Sequence, residues 1–193
     1  CGLWVRDGFE LTRIKYGDEV VGKCMWVRID DIWFCFAYLD PNMDAEECKR
    51  IMRPRHEEDR VIILGDLNMR FGSLTGDHAW NDKGRLLAPW FPSQGYRLHP
   101  FDRPGIYTFR SRSNRDAKSI IDLAFSNFGE SEGMPVYVVD NADITGAEHH
   151  LVFIDVPRTE VREGDVSGVR TRAVNLHRLK KPEYLGKYVQ CIA

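Results

Sequence analysis

The chain has 193 residues, enough for one domain with a sizeable hydrophobic core and a short tail. Hydrophobic residues make up 43% and charged residues 29%, which is ordinary for a soluble globular protein. A formal net charge of −2 excludes a global attraction to nucleic acid, so any such binding must come from a local patch. No apolar run is long enough to span a bilayer, so a membrane is not an expected partner.

The first forty residues predict consecutive β-strands joined by tight turns. Gly17-Asp18 and Asp30-Asp31 are the expected reversals. The β-branched and aromatic runs between the turns predict strands at Leu3–Arg6, Phe9–Tyr16, Val20–Ile29 and Ile32–Tyr38. The sequence starts at Cys1 and enters a predicted strand within two residues. We therefore expect this chain to be a segment of a longer polypeptide.

Helices enter after residue 43, between further strands. One helix is expected at Asp44–Met52, before Pro54, and another at Lys83–Phe91, capped by Asn81. The remaining strands are expected at Val61–Leu64, Ile106–Arg110, Ile120–Ser126, Val136–Asp140 and Leu151–Val156. This order predicts an α+β domain over residues 1–157, built as a two-sheet β-sandwich flanked by helices. Residues 158–193 are charged and weakly periodic, which predicts a tail or connector.

The five cysteines are odd in number and form no CxxC or Cys/His cluster. This pattern argues against a disulfide framework and against a zinc site, and it favours a reducing, intracellular setting. Cys24 and Cys35 lie in strand-like runs and are expected to be buried apolar residues.

Polar residues follow several of the predicted strands where each strand ends. They lie in four short patterns: YLDPN at Tyr38 to Asn42, GDLN with Asp66 and Asn68, SIIDLAFSN with Asp122, and GAEHH with Glu148 and His149. Gly, Asp and Asn are also ordinary turn residues, so GDLN taken alone fits a plain turn better than a functional site. Asp122 interrupts an apolar strand and needs a partner, for which His149 is the natural candidate. A purely structural hydrogen-bonded pair is the alternative.

The set suits phosphodiester hydrolysis. A hard cation such as Mg²⁺ binds carboxylate oxygens and water, and an attacking water needs a carboxylate to orient or deprotonate it. Asn, Tyr and protonated His can donate hydrogen bonds to the negative charge that grows on the phosphoryl oxygens.

With these motifs in order, the chain resembles the endonuclease/exonuclease/phosphatase superfamily. It is most similar to the endonuclease domain of non-LTR retrotransposons and more distantly similar to apurinic/apyrimidinic endonucleases. GDLN matches the family's motif, YLDPN is one residue longer than the usual Y-x-P-N, and IYTFRS, SIIDLAFSN and FGSLTGDHAWNDKGRLL read like retrotransposon endonuclease text. The tail NLHRLKKPEYLGKY resembles the connector to a reverse transcriptase domain.

The resemblance implies a role for each matched residue. Asp66 would orient the nucleophilic water, Asn68 would hold that water and a phosphate oxygen, and Asp122 would orient His149 to stabilise the transition state. Tyr38 and Asn42 would contact the phosphate, while Glu148 and Asp66 would bind Mg²⁺ or Mn²⁺. In RSRSNRDAK, the residues Arg110, Arg112, Arg115 and Lys118 would contact nucleic acid; the alternative is an ordinary solvated loop.

Two departures from the family pattern bear on activity. The terminal motif carries Ala147 and Glu148 where the family has Ser and Asp, and the extra methylene displaces the carboxylate. The family's first strands and their metal-binding Glu have no counterpart here, so the sandwich is expected to lack its N-terminal strands.

The resemblance predicts a Mg²⁺-dependent, DNA-nicking endonuclease domain, impaired in this chain by the missing Glu. The alternative is a non-catalytic, retroelement-derived binding or interaction module. The expected partners are DNA or RNA, a reverse transcriptase domain, or another chain that completes the sheet edge. A nuclear location would follow if the substrate is chromosomal DNA.

Overall fold

The computed structural model describes residues 14–20, 23–54, 59–114, 116–129, 134–139 and 148–156. The predictions for the chain before residue 14, for Arg115, Asp140 and Ala147, and for the tail lie outside these residues. The strands are β1 Ile14–Val20, β2 Cys24–Ile29, β3 Ile32–Tyr38, β4 Arg60–Asp66, β5 Arg97–Leu98, β6 Phe109–Arg110, β7 Lys118–Ser119, β8 Asp122–Ser126, β9 Val136–Val139 and β10 Leu151–Ile154. The helices are α1 Ala45–Met52, α2 Asp82–Leu87 and α3 Trp90–Ser93, with a 3₁₀ turn at Gly72–Leu74.

A six-stranded sheet in the order β1-β2-β3-β4-β8-β5 organises the described residues. Its strands are antiparallel except for β3 and β4, which run parallel and are joined through α1. Two antiparallel pairs accompany it, β9 with β10 and β6 with β7. The mixture of sheets and short helices confirms the predicted α+β class. No helix in the described part of the chain is long and apolar enough to cross a membrane.

The two predicted reversals had different outcomes. Asp30-Asp31 is a tight turn between β2 and β3, and Asp30 adopts a left-handed φ of 56°. The prediction at Gly17-Asp18 is wrong, because β1 runs through both residues and only its register shifts, between Tyr16 and Glu19. A bulge of this kind places turn-forming residues inside a strand without reversing the chain.

The first two helices begin within one residue of their predicted starts. The Asp44 side chain accepts a hydrogen bond from the Glu47 N–H and caps α1, and the Asn81 side chain accepts from the Gly84 N–H and caps α2. The single helix predicted at Lys83–Phe91 is wrong, since α2 ends at Leu87 and α3 starts at Trp90. Pro89 lies between them, and its missing N–H cannot continue the hydrogen-bond ladder.

The core covers both faces of β4. Val61, Ile62 and Ile63 are fully buried, as expected for an apolar run inside a sheet. On one side, the rings of Phe91 from α3 and Phe125 from β8 stack with centroids 3.8 Å apart. Because β4 is fixed from both faces, its carboxyl end is a rigid place for polar side chains.

Candidate active site

Three predicted site residues form one row across neighbouring strands. In the parallel pair of β3 with β4, Tyr38 lies beside Asp66, and in the antiparallel pair of β4 with β8, Asp66 lies beside Asp122. Gly65 makes this close approach possible, since its φ is +137° and a Cβ built there would lie 2.1 Å from the Ala37 carbonyl oxygen. The row places three polar residues side by side at the ends of three inner strands of the six-stranded sheet.

The GDLN segment is both a turn and part of the site. Asn68 adopts a left-handed φ of 48°, and its backbone N–H donates to Asp66 Oδ1 at 3.1 Å. Its side-chain Nδ2 donates to the Leu39 carbonyl at 3.0 Å, which ties the turn to the end of β3. The turn therefore fixes the orientation of the Asp66 carboxylate and the Asn68 amide together.

His149 joins the row from the segment before β10. Its Nδ1–H donates to Asp122 Oδ2 at 3.0 Å, and its Nε2 lies 3.7 Å from Asp66 Oδ2. The Phe109 ring packs edge-on against the imidazole, with centroids 5.0 Å apart. The neighbouring His150 is buried, as expected if adjacent residues face opposite sides. The predicted Asp122–His149 pair is therefore present, and it also reaches Asp66.

The site shifts the protonation of both Asp66 and His149. Burial, and next the nearby negative charge of Asp122, raise the pKa of Asp66 to about 6. The hydrogen bond to Asp122 raises the pKa of His149 above its ordinary value, against the opposing effect of burial. Near neutral pH, Asp66 is then mostly a carboxylate whose proton affinity lies close to the working range of a general base.

These groups open onto a cleft of about 390 Å³. It is lined by Tyr38, Pro41, Asp66, Asn68, Arg70, Asn81, Phe109, Ser119, Ile121 and His149. Tyr38 is 44% exposed at its mouth. Asn42, the other predicted phosphate contact, is exposed and does not line the cleft; its backbone N–H donates to Asp40 Oδ1.

Glu148, the second predicted metal ligand, contacts the segment after β6 instead. Its Oε1 accepts a hydrogen bond from the Arg112 N–H at 2.8 Å, and its carbonyl accepts from the Arg110 N–H at 2.8 Å. Within the described residues no group of three or more His, Cys, Asp or Glu side chains could hold a metal ion. Asp66 is the acidic side chain that lines the cleft.

The Arg-rich segment connects β6 to β7 beside the cleft. Phe109 and Ser119, one from each strand, line the cleft, while Arg110 and Arg112 are exposed. Lys118 Nζ lies 5.4 Å from the centre of the Tyr107 ring. The segment is thus placed where its cations could meet a ligand that extends out of the cleft.

Sequence reasoning missed Arg70 and its partner Asp77, and it identified Asn81 only as a helix cap. Asn81 also accepts from the Arg70 N–H at 3.0 Å and donates from Nδ2 to the Asn68 carbonyl at 2.8 Å. A signal was present, since residues 66, 68 and 70 alternate with the apolar residues 67 and 69.

Neither a family model nor a curated protein matches the chain, but solved structures do. The endonuclease domain of TRAS1, a telomere-specific non-LTR retrotransposon, is 19% identical with a TM-score of 0.51 over 68% of this chain. An AP endonuclease from Archaeoglobus fulgidus is 13% identical (TM-score 0.55, 74% of this chain). The 3′ phosphatase NExo from Neisseria, bound to a product DNA hairpin, is 12% identical (TM-score 0.54, 75% of this chain).

The chain spans 59% of the TRAS1 domain and 70% of each of the other two proteins. At these identities the likeness establishes the fold. The chain has the endonuclease/exonuclease/phosphatase fold, which confirms the fold predicted from its motifs.

Proposed function

We propose that this chain supplies the site of a nucleic-acid phosphodiesterase, a DNA-nicking endonuclease of the retroelement type. The observation that carries the proposal is the chain of contacts from Asp122 through His149 to Asp66 at the edge of an open cleft. Nuclease and DNA-bound structures of the same fold support a nucleic-acid substrate.

Asp66 acts on the attacking water. Its carboxylate is held by the Asn68 N–H, and its raised pKa of about 6 lets it accept a proton near neutral pH. The Asn68 side chain is fixed by the Leu39 carbonyl, so its amide oxygen can accept a hydrogen bond from the water and its second amide hydrogen can donate to a phosphate oxygen. Tyr38 can donate its hydroxyl hydrogen to a phosphoryl oxygen at the cleft mouth.

His149 stabilises the negative charge that develops on the phosphoryl oxygens. Asp122 accepts the Nδ1–H and raises the pKa of His149, which favours the protonated imidazole. In that form Nε2 also carries a hydrogen, and this N–H faces the cleft and Asp66. In the free protein this N–H lies near the Asp66 carboxylate; a bound phosphate would compete for it. Since the donor is oriented before substrate binds, little reorganisation is needed during reaction.

The residues fit a weakly held Mg²⁺. Asp66 would be the protein ligand, and Mg²⁺ commonly keeps several waters and relies on one or two carboxylates plus substrate phosphate. When bound, Mg²⁺ would polarise the phosphoryl oxygens and the leaving group. A closed cage of protein ligands does not fit, because the Glu148 carboxylate is engaged by the Arg112 N–H. We therefore expect metal occupancy to depend on bound substrate.

A non-catalytic binding module is the second candidate. The engaged Glu148 and the lack of a three-ligand metal group in the described residues favour it. The connection to a reverse transcriptase domain, the domain boundary at residue 157 and a nuclear location stay predictions.

Plasmid nicking in Mg²⁺ with the chain in excess tests the proposal. We expect slow nicking that EDTA stops and that Asp66→Asn and His149→Ala each lower by at least about a hundredfold. Asp82→Asn, on the exposed side of α2, is the matched control and should nick like the parent. DNA binding by a folded chain that never nicks would favour the binding module.

A further inference from the structure

Arg70 extends the site along the chain that leaves β4. Leu67 and Met69 are fully buried, while Asp66, Asn68 and Arg70 alternate with them and line the same cleft. An extended chain spans at most about 3.6 Å per residue, so the Cα atoms of Asp66 and Arg70 are no more than about 14 Å apart. An arginine side chain can therefore reach a group adjacent to one bound at Asp66.

A buried carboxylate fixes the direction of Arg70. The Asp77 side chain is fully buried and accepts hydrogen bonds from Arg70 Nε at 3.1 Å and from Nη2 at 2.5 Å. It also accepts from the backbone N–H groups of Ala79 at 3.1 Å and Ile120 at 2.8 Å. Burial alone would raise the pKa of Asp77, but these hydrogen bonds, from Arg70 first, lower it below its ordinary value.

The clamp leaves one edge of the guanidinium available. Nε and Nη2 are engaged by Asp77, and Nη2 also approaches the Lys118 carbonyl at 3.5 Å, whereas Nη1 has no partner among the described residues. A buried ion pair seldom adds stability over apolar packing, so stability alone does not explain this arrangement. A guanidinium held in a fixed plane loses little side-chain entropy when it binds a phosphate.

We propose that Arg70, clamped by Asp77, binds the phosphate that flanks the scissile one. This inference rests on the proposed function and deepens it: the substrate would be an internal linkage of a polynucleotide, since a lone phosphate ester has no flanking phosphate. Arg70 would then be a specificity-determining residue and Asp77 the residue that positions it.

Binding of a labelled DNA duplex in EDTA, where no cleavage occurs, tests the inference. Arg70→Gln removes the charge and Nη1 while an amide N–H remains for Asp77, so the variant should stay folded, as thermal melting would verify. We expect weaker binding and a slope of log K against log salt that is flatter by about one unit. Arg85→Ala, which removes an exposed arginine paired with Asp82 on α2, should keep the parent slope.

A scan of neutral methylphosphonate linkages through the duplex gives a second readout on the unmodified chain. We expect one flanking position where the substitution weakens the parent but leaves Arg70→Gln unaffected. If Arg70→Gln does not fold, the scan on the parent alone tests the inference. A scan in which no flanking substitution weakens binding would overturn it. If Arg70→Gln shows the same salt slope as the parent, this inference is wrong and the proposed function is unaffected. If the parent does not bind the duplex, both this inference and the proposed function are wrong.

Discussion

Two groups of polar residues, one lining the cleft and one beside it, differ in how they are held. In the cleft, Asp66, Asn68 and Arg70, which we call the strand-end wall, each have hydrogen-bond partners that fix their direction. Beside the cleft, Arg110 and Arg112, which we call the hairpin flank, have exposed side chains. Among the described residues only their backbone N–H groups are anchored, both by Glu148.

This difference separates two tasks. Groups that act on a transition state must be positioned before reaction, because a displacement of about 1 Å can cost a hundredfold in rate. Exposed cations contribute a salt-dependent attraction to phosphates that needs no fixed geometry. We therefore assign chemistry to Asp66 and Asn68 of the strand-end wall, binding of the flanking phosphate to its Arg70, and general affinity to the hairpin flank.

The largest effect on stability is expected at Gly65, the residue of β4 that precedes Asp66. In Gly65→Ala the new Cβ would lie 2.1 Å from the Ala37 carbonyl oxygen and the residue would keep a φ of +137°. Strands β3 and β4 would have to separate, which we expect to cost at least about 4 kcal/mol in the free energy of unfolding. Urea unfolding would measure it.

Gly95→Ala is the matched control for backbone conformation alone. Gly95 has a φ of +75°, but a Cβ there would meet no atom within 4 Å. Its cost should be about 1 kcal/mol, the left-handed penalty without a clash. Equal losses in the two variants would show that the close approach of β3 and β4 does not shape the site.

Removing the partner of His149 should be the next largest change. Asp122→Asn removes the carboxylate that accepts the Nδ1–H and stabilises the protonated ring, so the pKa of His149 should fall relative to the parent. Nicking should drop by two to four orders of magnitude as the imidazole loses its orientation. Proton NMR titration of the His149 ring would measure the pKa.

Asp116→Asn, which changes an exposed carboxylate between β6 and β7, is the control for Asp122→Asn. It should leave the pKa of His149 and the nicking rate unchanged. A His149 pKa that is the same in parent and Asp122→Asn would contradict the assigned hydrogen bond.

We expect the ionised Asp66 carboxylate to lower the stability of the folded state. Its folded pKa of about 6 lies above the ordinary 3.8, so the folded state holds this proton more tightly than the unfolded state. Its contribution to stability is therefore greatest below about pH 4 and is lost as pH rises through 6. Asp66→Asn should match the parent near pH 4 and be more stable by about 1–2 kcal/mol at pH 7, by urea unfolding. A variant less stable than the parent at pH 7 would contradict the raised pKa.

The smallest effect is expected at the hairpin flank. Replacing Arg110 or Arg112 by Ala should weaken duplex binding a few-fold and flatten the salt slope by about one unit. The folded stability should not change, because the side chains are exposed. An unchanged salt slope would show that Arg110 and Arg112 do not contact phosphates and that the segment is ordinary solvated surface.

Much of the candidate site could be predicted from the sequence. An apolar run ending in GDLN, and an Asp inside a second apolar run, identified Asp66, Asn68 and Asp122 because buried strands carry few polar residues without a role. His149 followed as the partner that the buried Asp122 needs. A local pattern also predicted the Asn81 cap of α2.

The rest depends on contacts between distant residues. Asp77 lies in a segment of turn-forming residues and becomes a buried anion only when Arg70 and the Ile120 N–H surround it. Glu148 matched a metal-binding position, but its carboxylate meets the Arg112 N–H, 36 residues away. Gly17-Asp18 reads as a turn, yet pairing with β2 keeps it within β1.

Single-turnover cleavage of a labelled duplex in Mg²⁺, measured across protein concentrations, tests the division of tasks most directly. For Asp66→Asn we predict a maximal rate at least about a hundredfold lower with an unchanged half-saturating concentration. For the Arg110→Ala/Arg112→Ala double variant we predict an unchanged maximal rate with a half-saturating concentration several-fold higher. A double variant that loses maximal rate, or an Asp66→Asn variant that keeps it, would contradict the account.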